Sequence, residues 1–165
     1  MPALATAPAA TVPTFTLTQT RVIRAPRARV FEAWTNPEII KQWFGPAGKQ
    51  CPGASTDVRV GGAYRLEVAS CTPAHGSADG SECAAPLSVA TGNYTKVVPN
   101  ELLQFTWSTN WSPGEDSVVT VSLKDVDGGT EITILHENFN TEASRDGHNQ
   151  GWAGCLDKLA STLES

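Results

Sequence analysis

Residues 140–164, NTEASRDGHNQGWAGCLDKLASTLE, carry the longest unbroken helical pattern in the chain. Trp152, Leu156, Leu159 and Leu163 recur at helical spacing with Cys155 beside them, and Asp157 and Lys158 fall off that stripe. A helix with one apolar stripe has to lay it on a partner layer. Gly147, Gly151 and Gly154 stand at i, i+4 and i+7, also on one face, and an interior glycine costs ~1 kcal/mol relative to Ala. Three on one face either admit a close approach to the helix backbone, by a sheet or the roof of a cavity, or mark a frayed first turn.

The preceding residues supply the partner layer. Residues 15–25, rich in Thr, Val, Ile and Phe and ended by Pro26, read as a strand. Pro26 suits the first turn of a short helix in which Val30, Phe31 and Trp34 share a face, and which stops before Asn36-Pro37. A second short helix follows Pro37, with Ile39, Ile40, Trp43 and Phe44 on its apolar side, and ends at Gly45-Pro46. These two helices are too short to build a core and must close the end of something larger. After Gly48 the period becomes alternating. The pattern predicts strands at 56–60, at 63–69 with Tyr64, Leu66 and Val68 on one side, and at 88–98. Further strands carry Leu103, Phe105 and Trp107, then Val119, Val121 and Leu123, then Ile132, Ile134, His136 and Asn138 on single faces. Gly61-Gly62, Pro99-Asn100, Trp111-Ser112-Pro113-Gly114 and Asp127-Gly128-Gly129 are the turns, and the polar insert at 70–86 reads as a long hairpin loop. Short strands joined by tight turns make an antiparallel meander. One apolar face per strand needs one cover, and the C-terminal helix provides it, giving an α+β two-layer domain.

At 165 residues, 40% of them hydrophobic, the chain is long enough for one domain with a real core. A net charge of −5 gives a nucleic-acid role no electrostatic support. No apolar run approaches the ~18 residues that span a bilayer. Residues 1–13 have small residues and prolines but no basic n-region, so they read as a disordered tail before a domain over 14–165. A cytoplasmic location is then expected, with the four cysteines reduced.

Several motifs resemble a known family. They are Pro26 with Val30-Phe31-Glu32-Ala33-Trp34, Pro37-Glu38 with Trp43-Phe44-Gly45-Pro46, Asp57 with Gly61-Gly62, and Gly92-Asn93-Tyr94. Leu102 to Trp107, Gly128-Gly129-Thr130, His136-Glu137 and Gly151-Trp152 with Leu156 and Leu159 complete the set. Their order, over about 18–163, resembles the branch of the START and birch-pollen-allergen (Bet v 1-like, SRPBCC) superfamily named after the activator of the heat-shock-protein-90 ATPase. The insert at 70–85, with two cysteines, is longer than that family implies. The resemblance implies a helix-grip fold, in which a curved antiparallel sheet of about seven strands wraps a long C-terminal helix, with two short helices after the first strand. It also implies a cavity between sheet and helix of the kind that holds lipids, hormones and polyketides, and it suggests a link to stress response.

Alternation and helical spacing select the residues that would line such a cavity or fill a solid core. The candidates for contact with a small apolar ligand are Phe31, Trp34, Trp43, Tyr64, Leu66, Phe105, Trp107, Ile134, His136, His148, Trp152 and Leu156. His136 and His148 can face one interior, whereas Glu137 points away from His136. A polar anchor at the cavity rim is the favoured reading of these histidines over acid-base catalysis, since no third group that orients an imidazole is visible. Cys71, His75 and Cys83 do not match a common zinc spacing, and free thiols in a loop are expected there. Asp57 and Arg65, at matching offsets from the glycine turn, are expected to pair across strands. No catalytic residue, metal site or cofactor is expected. Three functional classes remain: a binding module for a small, mostly apolar molecule, a cavity enzyme of the polyketide-cyclase or lyase type, and a chaperone ATPase co-factor. The chaperone partner ranks last, because the chain lacks the additional N-terminal domain of the eukaryotic activators.

The insert yields a prediction from polymer physics. Loop-closure entropy changes by only about 0.6 kcal/mol per doubling of length. Replacing residues 70–85 by a short Gly-Ser turn should leave the Tm within a few degrees of the parent in calorimetry. A collapse of the Tm would show that Cys71, His75 or Cys83 ties the loop down.

Overall fold

The computed structural model describes residues 14–45, 51–69 and 88–164. The expected tail at 1–13 and the cluster Cys71, His75 and Cys83 lie outside the described residues. The chain order is β1 (Phe15–Ile23), α1 (Arg27–Thr35), α2 (Pro37–Trp43), β2 (Ala54–Thr56), β3 (Ala63–Val68), β4 (Ser88–Val98), β5 (Leu102–Thr109), β6 (Ser117–Val126), β7 (Gly129–Phe139) and α3 (Glu142–Glu164).

The seven strands form one antiparallel sheet in the order β1-β7-β6-β5-β4-β3-β2. From β2 to β7 the sheet is a meander, as the alternating pattern requires. β1 pairs with β7, Gln19 opposite Ile134, so α1 and α2 carry the chain from one sheet edge to the other. α3 covers the inward face, and the chain adopts the helix-grip α+β fold. Pro26 is the N-cap of α1 rather than a residue of its first turn, and Asn36 caps α2 by accepting from the Glu38 N–H at 2.9 Å.

Alternation locates the core. Val119, Val121, Ile132 and Ile134 are at most 1% exposed, and Trp152, Leu156, Leu159 and Leu163 of α3 are buried against this face. α3 runs along β1. The Gln19 side chain donates to the Asn149 carbonyl and to its side-chain oxygen, Arg21 pairs with Asp157, and the Arg24 N–H donates to Glu164 Oε2. These helix partners stand seven or eight residues apart, which keeps them on the face of α3 that overhangs β1. The three glycines lie inside a continuous helix that begins at Glu142, so they are not a frayed turn.

Three sequence expectations are corrected. The strand expected at 56–60 is Ala54–Thr56, because Asp57 turns the chain and its N–H donates to the Ala63 carbonyl. Asp57 therefore does not pair with Arg65. Strand register places Ser55 opposite Arg65, and each charge finds a nearer partner: Asp57 with Arg59 at 3.0 Å and Arg65 with Glu67 at 3.1 Å. Asn138 does not share the inward face of β7. It adopts φ 75°, which breaks the alternation and turns Phe139 inward in its place.

Gly92 shows how closely β4 and β5 approach. A Cβ at this position would overlap the Thr106 carbonyl oxygen, which already accepts the Tyr64 hydroxyl at 2.5 Å. Backbone cannot move aside as a flexible side chain can. Gly92→Ala should therefore cost about 1–3 kcal/mol in urea denaturation, the scale of overpacking. A neutral result would mean that the two strands lie further apart.

Candidate functional site

α3 presents two kinds of surface to the sheet. Trp152, Leu156, Leu159 and Leu163 fill the interior, whereas Gly147 and Gly151 carry no side chain. Opposite those glycines lies a partly open cavity of about 470 Å³. Phe44 and Trp107 line it from the interior, Trp111 and Ser112 from the β5–β6 turn, and Ser144, His148, Trp152 and Cys155 from α3. A Cβ on Gly147 would meet nothing within 4 Å.

Of the twelve residues proposed from sequence, Trp107, His148 and Trp152 line this cavity. Trp34, Trp43, Tyr64, Leu66 and Phe105 surround, with Trp107 and Trp152, a second space of only about 20 Å³. That volume is on the scale of one water, so this end of the interior is packed core. Phe31, Ile134, His136 and Leu156 line neither space. Phe31 is half-buried on α1, and the other three are buried in the core. Trp111, Ser144 and Phe44 are cavity residues that the sequence reasoning did not single out for the site. Trp111 lies in a turn, Ser144 precedes the apolar stripe, and the spacing of Phe44 reads as packing.

The two histidines are brought together, with ring centroids 5.3 Å apart. His136 has 0% exposure, and both its ring nitrogens are partnered. Trp152 Nε1–H donates to His136 Nδ1 at 3.0 Å. Indole can only donate, so Nδ1 is the acceptor and the ring proton sits on Nε2. His136 Nε2–H then donates to Ser117 Oγ at 2.8 Å, and the Ser117 hydroxyl donates to the Trp107 carbonyl at 3.3 Å. Burial, with His148 beside it, pushes the pKa of His136 down to about 2. The Ser117–His136 pair runs opposite to a nucleophilic dyad, in which the imidazole must accept the serine proton. Ser117 was legible in principle, since it alternates with Val119 and Val121 on the inward face of β6.

His148 holds its proton on the other nitrogen. Its Nδ1 lies 2.8 Å from the Ser144 carbonyl, which can only accept, so Nδ1–H is the donor. Its Nε2 accepts from Trp107 Nε1–H at 3.3 Å. Trp111 stacks on the ring, with centroids 5.9 Å apart and planes at 29°. Burial lowers the pKa of His148, against the raising influence of the Ser144 carbonyl and the Glu115 carboxylate. Glu115, 7% exposed, caps the start of α3 by accepting from the Asn140 N–H and the Ser144 hydroxyl, both at 2.6 Å. No sequence pattern marks this contact, which joins a turn to a helix start 25 residues on. Cys51 and Cys155 are free and buried, and burial pushes the Cys155 thiol up to about 12. Among the described residues no group of three or more His, Cys, Asp or Glu is placed to hold a metal ion, and no helix is long and apolar enough to cross a membrane.

A helix-grip domain with a cavity under its C-terminal helix defines the class. Residues 24–164 match the model of the family described as activator of Hsp90 ATPase homolog 1-like protein (AHSA1), and the chain belongs to that family. Solved structures agree. A Chromobacterium violaceum protein, 25% identical, superposes with a TM-score of 0.73 over 92% of this chain and 99% of its own. A Rhizobium leguminosarum protein described as putative and uncharacterized, 29% identical, gives 0.70 over 92% and 95%. The AHSA1 protein of Silicibacter pomeroyi, 20% identical, shares the fold, with a TM-score of 0.73 over 91% and 98%. No protein of curated function matches the chain.

The buried imidazole makes stability depend on pH. The unfolded chain protonates His136 below its ordinary value of 6.5, and the folded chain does so only near pH 2. Between those values the unfolded state holds more protons, so stability falls as the pH falls. The loss at pH 5 should be ~2 kcal/mol from this residue, with His148 acting in the same direction. In His136→Gln, the Gln side chain can accept from Trp152 and donate to Ser117 without titrating. Urea midpoints between pH 7.5 and 5 should fall less steeply in His136→Gln than in the parent. An identical slope would show that His136 is not buried as a neutral ring.

Proposed function

We propose that this protein binds a small, mostly apolar molecule between the sheet and α3. The observation that supports this reading is the cavity of about 470 Å³ beside the glycine face, walled by Phe44, Trp107, Trp111 and Trp152, with Ser88, Ser112, Ser144 and His148 as its polar side chains. That size and lining fall in the range of small-molecule sites. Fatty acids and flavonoid-like polyketides are the two kinds of compound that suit a mainly apolar wall with one polar end. A cavity enzyme is the second reading. Its one support is His148, a wall residue whose unprotonated Nε2 accepts from the Trp107 indole and whose ring is oriented by Ser144. The lowered pKa makes His148 a weak base, which keeps this reading second. The chaperone reading draws only on the family's description. A cytoplasmic location and a role in stress response are carried as further parts of the proposal.

N-phenyl-1-naphthylamine, a neutral apolar fluorophore, tests the proposal. It should bind saturably with micromolar affinity, about −8 kcal/mol, and quench tryptophan emission, since Trp107 and Trp152 form part of the wall. Gly151→Leu should fill the space and abolish binding while unfolding stays cooperative. Unchanged binding in Gly151→Leu would place the ligand elsewhere.

A further inference from the structure

Two aromatic polar groups of the cavity wall meet in one contact, the hydrogen bond from Trp107 Nε1–H to His148 Nε2, and Ser88, Ser112 and Ser144 are the other polar side chains of the wall. Both rings lie on the cavity wall. At 3.3 Å the contact is at the long end for an N–H donor, and an oxygen bonded to both nitrogens at about 2.9 Å asks the two rings to part by about 1.5 Å. His148 cannot change roles there. Its Nδ1–H is committed to the Ser144 carbonyl at 2.8 Å, which leaves Nε2 as an acceptor, and Trp111 stacks on the ring, along whose plane it can slide. The site therefore offers one fixed donor, the indole N–H, beside one fixed acceptor, the imidazole lone pair.

We propose that a ligand hydroxyl inserts between these two rings, accepting from Trp107 Nε1–H and donating to His148 Nε2, so that the cavity selects neutral hydroxylated aromatic compounds. This rests on the ligand-binding reading of the cavity and narrows it. An ether oxygen can accept from Trp107 but leaves the His148 lone pair unsatisfied, and a buried orphan acceptor is costly. A carboxylate meets that lone pair directly. It also finds no Lys or Arg among the described residues of the wall. Glu115 stands behind Ser144, with its Oε1 2.6 Å from the Ser144 hydroxyl, and adds negative rather than positive charge to that end. Lys158, one turn beyond Cys155 on α3, is off the wall and donates to the Gly45 and Phe44 carbonyls at 3.2 and 3.5 Å. Of the two kinds of compound above, this donor–acceptor pair favours the hydroxylated polyketide type over the fatty acid.

Three ligands of one shape test this: 2-naphthol, 2-methoxynaphthalene and 2-naphthoate, titrated by isothermal calorimetry at pH 7.5 into the parent, His148→Phe and His148→Gln. The parent should bind 2-naphthol about tenfold more tightly than the methyl ether, the scale of one net hydrogen bond, and 2-naphthoate most weakly. His148→Phe should bind 2-naphthol and the ether alike. His148→Gln, which restores an acceptor, should recover part of the preference. Equal binding of 2-naphthol and the ether by the parent, or tightest binding of 2-naphthoate, overturns the inference and leaves the cavity reading standing. A full preference for 2-naphthol in a cooperatively folding His148→Phe overturns it too. Binding of none of the three overturns both. Should His148→Phe fail to fold, the order of the three ligands in the parent and His148→Gln decides.

Discussion

The hydrogen bond from Trp152 to His136 joins the two layers of this domain at a fixed point. It belongs to a relay that starts on α3, passes through His136 of β7 and Ser117 of β6, and ends at the Trp107 carbonyl of β5. Every side chain in it is buried. Desolvating an imidazole this completely is costly unless both nitrogens are partnered, and here they are. Because the bonds are directional, they set both the height and the rotation of α3 on the sheet. A one-residue slip of β7 would turn His136 to solvent and break the relay at its centre. The polar contacts along β1 cannot do this alone. Asp157 is 70% exposed and Arg21 38%, and solvent-screened ion pairs are worth little.

With α3 held there, side-chain size along one helix decides where the interior is solid and where it is hollow. All five tryptophans form one chain of ring contacts: Trp43 to Trp34 at 4.8 Å, Trp34 to Trp152 at 5.8 Å, Trp152 to Trp107 at 5.3 Å, and Trp107 to Trp111 at 6.4 Å. Toward α1 and α2 the rings close the space to about 20 Å³. On the far side of Trp107 and Trp152, α3 offers Gly147 and Gly151 in place of side chains, and about 470 Å³ is left. The glycine face lowers helix propensity and opens a cavity. Local preference and global architecture thus conflict at this face.

Most of the fold is legible in the sequence because burial imposes a period. Val119, Val121, Ile132, Ile134 and the leucines of α3 repeat at strand or helix spacing, and their positions follow from that repeat. The reading fails where one backbone angle interrupts the period. Asn138 at φ 75° exchanges the inward place with Phe139, and the turn at Asp57 shortens β2. The cavity is partly legible: Trp107, His148 and Trp152 were singled out from spacing, and the glycine face predicted room. What periodicity cannot show is which inward residues touch empty space and which touch one another. Tyr64, Leu66 and Phe105 alternate as Trp107 does, yet Tyr64 and Phe105 pack ring to ring at 5.2 Å. The Glu115 cap and the Trp111 stack are contacts between distant segments, so no local pattern marks them.

The two histidines hold opposite tautomers, one inside the core and one at the cavity wall. His136 carries its proton on Nε2 because an indole donor occupies Nδ1. His148 carries its proton on Nδ1 because a carbonyl of its own helix occupies that side. Burial is the main cause that disfavours charge on both rings, and with centroids 5.3 Å apart His148 adds to it at His136, whereas Ser144 and Glu115 act against it at His148. Neutrality lets two imidazoles share an apolar interior without a counter-ion. The inner ring spends both nitrogens on the relay that seats α3, and no lone pair of it reaches the cavity. The outer ring spends one nitrogen on its own helix and keeps the other at the cavity wall, against a long indole contact. The contact that holds the layers together and the contact at the cavity wall thus rest on different rings.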